Sequence, residues 1–565
     1  MNTKLCAALL GSLSLSACAT VPANVLGAPS ESAAVTVQIL AINDFHGNLE
    51  TPQGTYTFVD SGETRRARLG GAAHLAAALN NLREGNSVTV AAGDLIGASP
   101  LISSLFLDEP SVRALSEMGL EIASVGNHEF DRGTQELLRI QQGGCEKFTL
   151  REPCAVEPFA GAGFAYLAGN VVDSTGRTLL PGTSMREIDG AQIGFIGLTL
   201  QDTANLVAAQ ATEGYDFLDE ADTANRLAMD LREQGADTVI LLIHEGADVE
   251  GRYSLAGCPE VSGPIVSIVE RLDPSISLVV SGHTHQAYVC NVANSAGGET
   301  LLTSGGSFGG FVTDITMTID PVSDTVSSVN GRNVAVDGSA GSDAAIESLV
   351  AVYAEASGPV TNRAVGTITD NGERGEDCAD NSAQGLVADS YLAGANAALT
   401  EPVDLALVNS GGVRADLSGA DDGLLTFGEL AAIAPFGNAL IVLEMSGAEI
   451  SAALEQQFCE EGPATICTSR IIPSAAMQYT VDRALPVRQR VTSITLGGEP
   501  LDEARKYRVV TNSFLVGGGD GFVQFTQVPE IDNVGFDIDA LEAYVAAGSL
   551  TVPVCGRVRD LTPRS

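Results

Sequence analysis

Positive charge is scarce in this sequence. Lys and Arg total 30 against 71 Asp and Glu, a formal net charge of −41 over 565 residues. A surface that acidic repels nucleic-acid polymers and anionic membranes, keeps the chain soluble and leads us to expect a monomer. It attracts divalent cations, and an anionic ligand would need bound cations or one or two arginines to overcome the field locally. Long apolar runs are scarce as well: past the N-terminus, no segment approaches the roughly 18 apolar residues that a membrane span needs. The ten cysteines contain no C-x-x-C spacing, which argues against structural zinc. Internal repeats are missing too.

What the chain does have is a globular composition, 45% hydrophobic, and a length that calls for two large domains. Lys4 precedes an apolar run, Leu5 to Leu15, and then Leu15-Ser16-Ala17-Cys18. The run is too short to cross a bilayer and reads as a signal peptide. Leu-Ser-Ala-Cys resembles the bacterial lipobox, so residues 1–18 are read as a lipoprotein-type signal ending at Cys18. An ordinary signal peptide cut further on, for instance after Ala28, is the alternative. Residues 19–34, rich in Ala, Pro, Ser and Val, read as a tether. The expectation is an exported protein, periplasmic or an outer-membrane lipoprotein, touching the membrane only through its anchor.

Eight further cysteines divide evenly: Cys145, Cys154, Cys258 and Cys290, then Cys378, Cys459, Cys467 and Cys555. Even counts in an exported protein suggest disulfides within each half. The close pairs Cys145/Cys154 and Cys459/Cys467 come first, leaving Cys258/Cys290 and Cys378/Cys555.

From Val35 onward, short β-rich runs alternate with helical stretches. The runs are Val37–Ile42, Val88–Ala92, Ile122–Val125, Ile193–Leu198, Val239–Ile243 and Ile276–Val280; the helical patterns include Gly71–Arg83, Ser111–Met118 and Ala221–Glu233. Continuous apolar runs between helices indicate strands buried on both faces, hence an α/β sandwich. A helix over Ser342–Ser357, with Ile346, Leu349, Val350 and Tyr353 on one face, is expected to stop at Gly358-Pro359. The second block, from about Asn362, mixes the strand Val403–Val408 with helices started by Thr426-x-x-Glu429 and Ser446-x-x-Glu449, both capping-box patterns.

Chemistry gathers where the first block's strands end. Asp44, Asp94, Asn127, His244 and His283 each stand past such an end, the side of an open α/β sheet on which ligands bind. Five of the six histidines lie in these places. Asp44/His46 and His283/His285 are two apart, so in extended chain each pair faces one way. Alone, Asp94 after a glycine reads as a turn residue, and His244 as structural; His74, within a helical Ala/Leu run, is read as structural. Five coincident strand ends argue otherwise. Two Asp, one Asn and four His, without thiolate, suit Zn, Mn, Fe or Co, and are too many groups for one ion.

The runs Val37-Gln38-Ile39-Leu40-Ala41-Ile42-Asn43-Asp44-Phe45-His46-Gly47-Asn48-Leu49, Gly93-Asp94, Gly126-Asn127-His128-Glu129-Phe130-Asp131 and Gly282-His283-Thr284-His285 together resemble the calcineurin-like metallophosphoesterases. More narrowly, they resemble the bacterial 5′-nucleotidase / UDP-sugar hydrolase family. The resemblance implies a two-domain α/β chain. A four-layer α/β/β/α metallophosphoesterase sandwich (35–340) is joined by a hinge helix (341–362) to a smaller mixed α/β substrate-binding domain (363–565). It also implies two divalent metal ions, Mn, Zn, Co or similar. Asp44, His46, Asp94 and His285 would hold one, and Asp94, Asn127, His244 and His283 the other. Glutamine often stands at the His285 position in the family. His128 and Asp131 match the family's catalytic pair, three apart as on one face of a helical turn. Glu129 is left with no direct role and is read as structural. Two cations about 3.5–4 Å apart lower the pKa of a water and polarise a phosphoryl group, so hydroxide would attack phosphorus without a covalent phospho-enzyme.

In the second block, Asn409-Ser410-Gly411-Gly412-Val413-Arg414 follows a strand; its glycines admit a ligand close to the backbone and Arg414 offers a phosphate fork. By resemblance, Asn409, Arg414, Phe436, Phe514 and Asp520 are the substrate readers, the two phenylalanines clamping a base. The arginine that family members usually carry near Cys378–Gly385 is missing, although Arg374 lies just upstream. The leading expectation is hydrolysis of nucleoside 5′-monophosphates, with UDP-sugars or other nucleotides also in reach. A cyclic-nucleotide phosphodiesterase/3′-nucleotidase, a thiosulfohydrolase-like relative and a non-catalytic surface binding protein are the alternatives.

Overall fold

The computed structural model describes residues 34–60, 62–149, 151–249, 253–258, 261–320, 325–368, 380–417, 423–458, 469–550 and 556–562. The expected signal peptide with Cys18, the tether to residue 33, Arg374 and Cys378, Cys459, Cys467 and Cys555 lie outside them. Among the described residues, no helix is long and apolar enough to cross a membrane.

Two six-stranded sheets form the heart of the first domain. The first contains β1 (Val35–Ile42), β2 (Ser87–Ala92) and β3 (Ile122–Ser124), parallel neighbours in that order. The second contains the parallel pair β4 (Thr238–His244) and β5 (Ile276–Ser281). Side-chain alternation builds the layers. Val37, Ile39 and Ala41 of β1 share a core with Ile240 and Leu242 of β4, between the sheets. Leu40 and Ile42 face outward onto Leu75 and Leu79 of the helix Ala72–Leu82. Val239, Leu241 and Ile243 face the other way, onto Ala221, Ala224 and Ala228 of the helix Glu220–Glu233. Both faces of these strands are thus covered, which is why their runs are mostly apolar. Each buried Val, Leu or Ile contributes about 1.5–3 kcal/mol.

The helix Ala344–Thr361 begins where Asp343 accepts the N–H groups of Ala345 and Ile346, and it buries Ile346, Leu349 and Tyr353. It does not stop at Gly358-Pro359 as the sequence suggests but runs through both. Pro359 costs one backbone bond in the last turn. Asn362 N–H closes that turn on Gly358 O, and Thr361 packs against Gly428 of the helix Phe427–Ile433. Tertiary packing outweighs local propensity there.

In the second domain a five-stranded sheet runs Ile471–Pro473, Leu405–Asn409, Lys506–Asn512, Ala439–Ser446, Glu530–Phe536. Both expected capping boxes form, at Thr426/Glu429 and Ser446/Glu449. Asn381 and Gln384 form a third, so part of the stretch compared with the family's arginine segment starts the helix Ser382–Ala398. The disulfides Cys145–Cys154 and Cys258–Cys290 are formed, as expected.

Candidate functional site

The ends of β1 to β5 meet at one edge of the sandwich. There Asp44, His46 and His285 form one group whose ligand atoms lie within 4.8 Å of one another; Asp94, His244 and His283 form a second; and His46, Asp94 and His128 form a third. His244 Nε2 lies 2.9 Å and His46 Nε2 3.6 Å from Asp94 Oδ2, and His285 Nε2 lies 3.4 Å from Asp44 Oδ1. The forks are not extended chain, however. Asp44, His46, Asp94, His283 and His285 all take left-handed backbone, φ 46° to 72°, because β1 ends at Ile42 and β5 at Ser281 before the ligands begin. Strain of this kind, on the order of 1–3 kcal/mol per residue, persists only where the surroundings enforce it.

Those surroundings are hydrogen bonds. The Nδ1 atoms of His46 and His244 sit 2.9 and 2.8 Å from the carbonyls of Gly97 and Ala92. An Nδ1–H donated there turns each Nε2 to the centre: in neutral His46 as a lone pair, in His244 as the atom facing Asp94 Oδ2. Asn43 donates to Asp44 Oδ2 at 2.6 Å, and His283 N–H to the same carboxylate at 3.0 Å. His128 N–H donates to Asp94 Oδ1 at 2.8 Å. Burial pushes His46 and His283 down to about 3, so both are neutral donors at pH 7; it lifts the Asp44 carboxyl to about 7. Burial opposes charge on Asp94 and His244 too, but each holds the other in its charged form. Asn127 Oδ1 is buried without a hydrogen-bond partner among the described residues. Neutral imidazoles, carboxylates and an orphaned amide oxygen converging on one point fit a divalent-metal centre.

His128 opens a single 3₁₀ turn, His128–Phe130, and its Nδ1 lies 2.9 Å from Asp131 Oδ2. Burial disfavours the imidazolium, and the Asp131 carboxylate overcomes it, so the His128 pKa is raised. Gly97, φ 81°, backs this pair: a Cβ there would lie 2.7 Å from Asp131 Oδ2 and 2.5 Å from the His128 carbonyl.

The second domain reaches into the same place. The Phe436 ring is stacked on the His128 imidazole. Arg414 is half-buried, feels Asp94, Asp131, Asp44 and Asp520, and makes no salt bridge among the described residues. Asn409 donates to Asp520 Oδ2 at 2.8 Å and accepts from Asn512 at 3.0 Å. Phe514 lies across Gly519, where a Cβ would come within 2.5 Å of its ring.

Residues 37–287 match the family described as calcineurin-like phosphoesterase, and residues 361–527 the 5′-nucleotidase C-terminal domain. A cell wall protein of Listeria monocytogenes is 31% identical over 563 residues, covering 93% of this chain and 69% of its own length. The chain belongs to the 5′-nucleotidase family. An NAD 5′-nucleotidase of Haemophilus influenzae is 24% identical over 598 residues, covering 92% of this chain and 91% of its own. The 5′-nucleotidase precursor of Thermus thermophilus shares the fold at a TM-score of 0.75 and 23% identity, over 94% of this chain and all of that one.

As a member of that family the chain is a metallophosphatase with a two-domain α/β fold, as expected from its motifs. Glu129, read from the sequence as structural, is so placed, whereas Phe308 and Asn43 escape sequence reasoning. Glu129 is buried, and its carboxylate accepts the N–H groups of Asp94, Leu95 and Gly126 at 2.9, 2.8 and 2.5 Å. It thereby ties the turn carrying Asp94 to the turn carrying Asn127 and His128. Phe308, left-handed at φ 56°, sets its ring against His46 and His285. A lone Phe in a glycine-rich turn carries no period to reveal it; Asn43 could have been suspected from its place beside Asp44. His74 only bonds the Gly341 carbonyl at 2.9 Å, in keeping with a structural role.

Proposed function

We propose that this metallophosphatase is an exported hydrolase of nucleoside 5′-monophosphates that works with two divalent ions. The observation that carries the reading is the meeting of Arg414 and Phe436 with the His128–Asp131 pair and the ligand cluster. A phosphate reader and an aromatic face for a base stand beside the residues that would act on phosphorus. Asp44, His46, Asp94 and His285 would hold one ion, and Asp94, Asn127, His244 and His283 the other. Bound ions of this kind activate water and polarise phosphoryl oxygens. Arg414 draws in the phosphate against the chain's acidic field. His128 donates a hydrogen bond or a proton at the phosphoryl centre, and Asp131 fixes its ring and favours its charged form. Phe436 and Phe514 sandwich the base, with Asn409 and Asp520 meeting nucleoside polar groups.

The similarity to an NAD 5′-nucleotidase supports reach to nucleotide diphosphate compounds, UDP-sugars among them. Residues 1–18 would direct export, with Cys18 as a lipid anchor and 19–34 as the tether; the two disulfides suit an oxidising envelope compartment. The domains would run 35–340 and 363–565, hinged over 341–362, in a monomer.

The test is one panel on mature protein reconstituted with Mn, Co or Zn: 5′-AMP, 3′-AMP, 2′,3′-cyclic AMP, UDP-glucose and bis-p-nitrophenyl phosphate, read by chromatography of the nucleoside and nucleotide products and by release of nitrophenol. Highest kcat/KM on 5′-AMP is expected. Preference for the cyclic or 3′ substrates would move the chain to the phosphodiesterase reading, and silence on all five to a binding role.

A further inference from the structure

Asp108 stands just before the helix Glu109–Glu117, where an aspartate ordinarily caps the helix. Its side chain makes no cap bond there, and its backbone is left-handed, φ 62°, directly after a left-handed Leu107. The fully buried carboxylate turns instead toward the catalytic edge. Oδ1 accepts from Ser103 Oγ at 2.6 Å. Oδ2 accepts from Arg132 Nη1 at 2.6 Å and from Gly97 N–H at 3.4 Å. Both Oδ2 partners lead to the active site. The Gly97 carbonyl is the acceptor for His46 Nδ1, and Gly97 leaves no room for a Cβ beside His128 and Asp131. Arg132 follows Asp131 directly, at the end of the turn that carries the acid pair.

We propose that Asp108, with Arg132, is a positioning residue of the phosphatase, setting the placement of the metal ligand His46 relative to the His128–Asp131 pair. The inference rests on the functional reading above. A buried charged pair that only filled space could be exchanged without effect on the chemistry. This pair links two turns that must stay in register, and neither Asp108 nor Arg132 can reach the centre itself except through them. Removing a support of this kind under a metal site costs about 10–100-fold in affinity or turnover.

The experiment uses mature full-length protein, with Asp108→Asn, Arg132→Met, Arg132→Lys and the double variant Asp108→Asn/Arg132→Met. Four quantities are read: kcat and KM on bis-p-nitrophenyl phosphate, metal retained per chain after dialysis against metal-free buffer, and melting temperature. Asp108→Asn should lower kcat about 10–100-fold with KM within about threefold, and should release metal faster. Arg132→Met should approach that loss, the double variant should be little worse than either single one because both break one link, and Arg132→Lys should restore most of the turnover. A lower melting temperature with kcat and metal retention within about twofold of the parent would reduce the pair to a structural role. Should Asp108→Asn not fold, the part-exposed Arg132 decides: equal turnover in its Met and Lys forms overturns the proposal. A parent inactive on every phosphoester overturns the functional reading instead, and metal retention in the variants then still judges the link between Asp108 and His46.

Discussion

The Phe436 ring lies parallel to the His128 imidazole, with centroids 5.8 Å apart and planes 13° from coplanar. One residue belongs to the second domain's loop and the other to the first domain's His128–Phe130 turn, so the proposed reader of the base and the residue proposed to act on phosphorus share a face. Losing a base-stacking ring costs about 1–3 kcal/mol. Phe436→Ala should therefore raise KM for 5′-AMP by roughly 5- to 150-fold. Turnover of bis-p-nitrophenyl phosphate, which has no base, should change far less. Equal losses on both substrates would show that Phe436 serves His128 rather than the base.

The His128–Asp131 pair is separable from the ligand cluster. His128→Ala should fold, bind metal as the parent does and lose about 10²–10⁴ in kcat, the usual worth of a positioned acid. Metal analysis beside steady-state kinetics checks it, and near-full activity would remove His128 from its role.

Glu129 makes a different prediction. Glu129→Gln places an amide NH₂ among backbone N–H donors, leaving at least one buried donor unpaired at about 1–3 kcal/mol. Melting temperature should fall, and metal affinity should fall with it, because the Asp94 and Asn127 turns lose their common acceptor. Calorimetric titration of metal into the stripped protein measures the second effect directly.

Stability should also carry a pH signature from Asp537, a buried carboxyl that desolvation pushes up to about 6 from an ordinary 3.8. The fold keeps this proton to higher pH than the unfolded chain does. Its contribution is therefore fully present below pH 3.8 and is lost as pH rises through about 6, an effect of ~2–3 kcal/mol. Asp537→Asn cannot titrate. Urea unfolding of parent and variant at pH 4 and pH 7.5 should show the difference between them shifting by that amount in the variant's favour. No shift would mean that the Asn438 and Ile538 N–H groups hold the carboxylate ionised.

Much of this architecture is legible in the sequence because its strands are buried on both faces. Val239–Ile243 is uniformly apolar and Val37–Ile42 is so but for Gln38, so the polar residues that follow each mark the edge where ligands gather. The capping boxes at Thr426 and Ser446 were legible for a local reason: both partners lie three residues apart. What stayed hidden depends on partners distant in the chain. Asp108 stands before a helix, and its carboxylate bonds Gly97 and Arg132 instead of the helix end. Glu129 looks idle until the Asp94 turn folds over it. Pro359 looks like a stop, and the packing of Thr361 on Gly428 keeps the helix going.

The left-handed backbone at Asp44, His46, Asp94, His283 and His285 also restricts which amino acids can occupy those places. Among non-glycine residues, Asp, Asn and His enter that region most readily, while β-branched and bulky side chains are outliers. The loops thus favour their own donors before any ion is considered: Asp, Asn and His enter at the least backbone cost, and another donor brings a backbone cost with it. An exchange among Asp, Asn and His at any of the five places would leave the loop backbone as it stands.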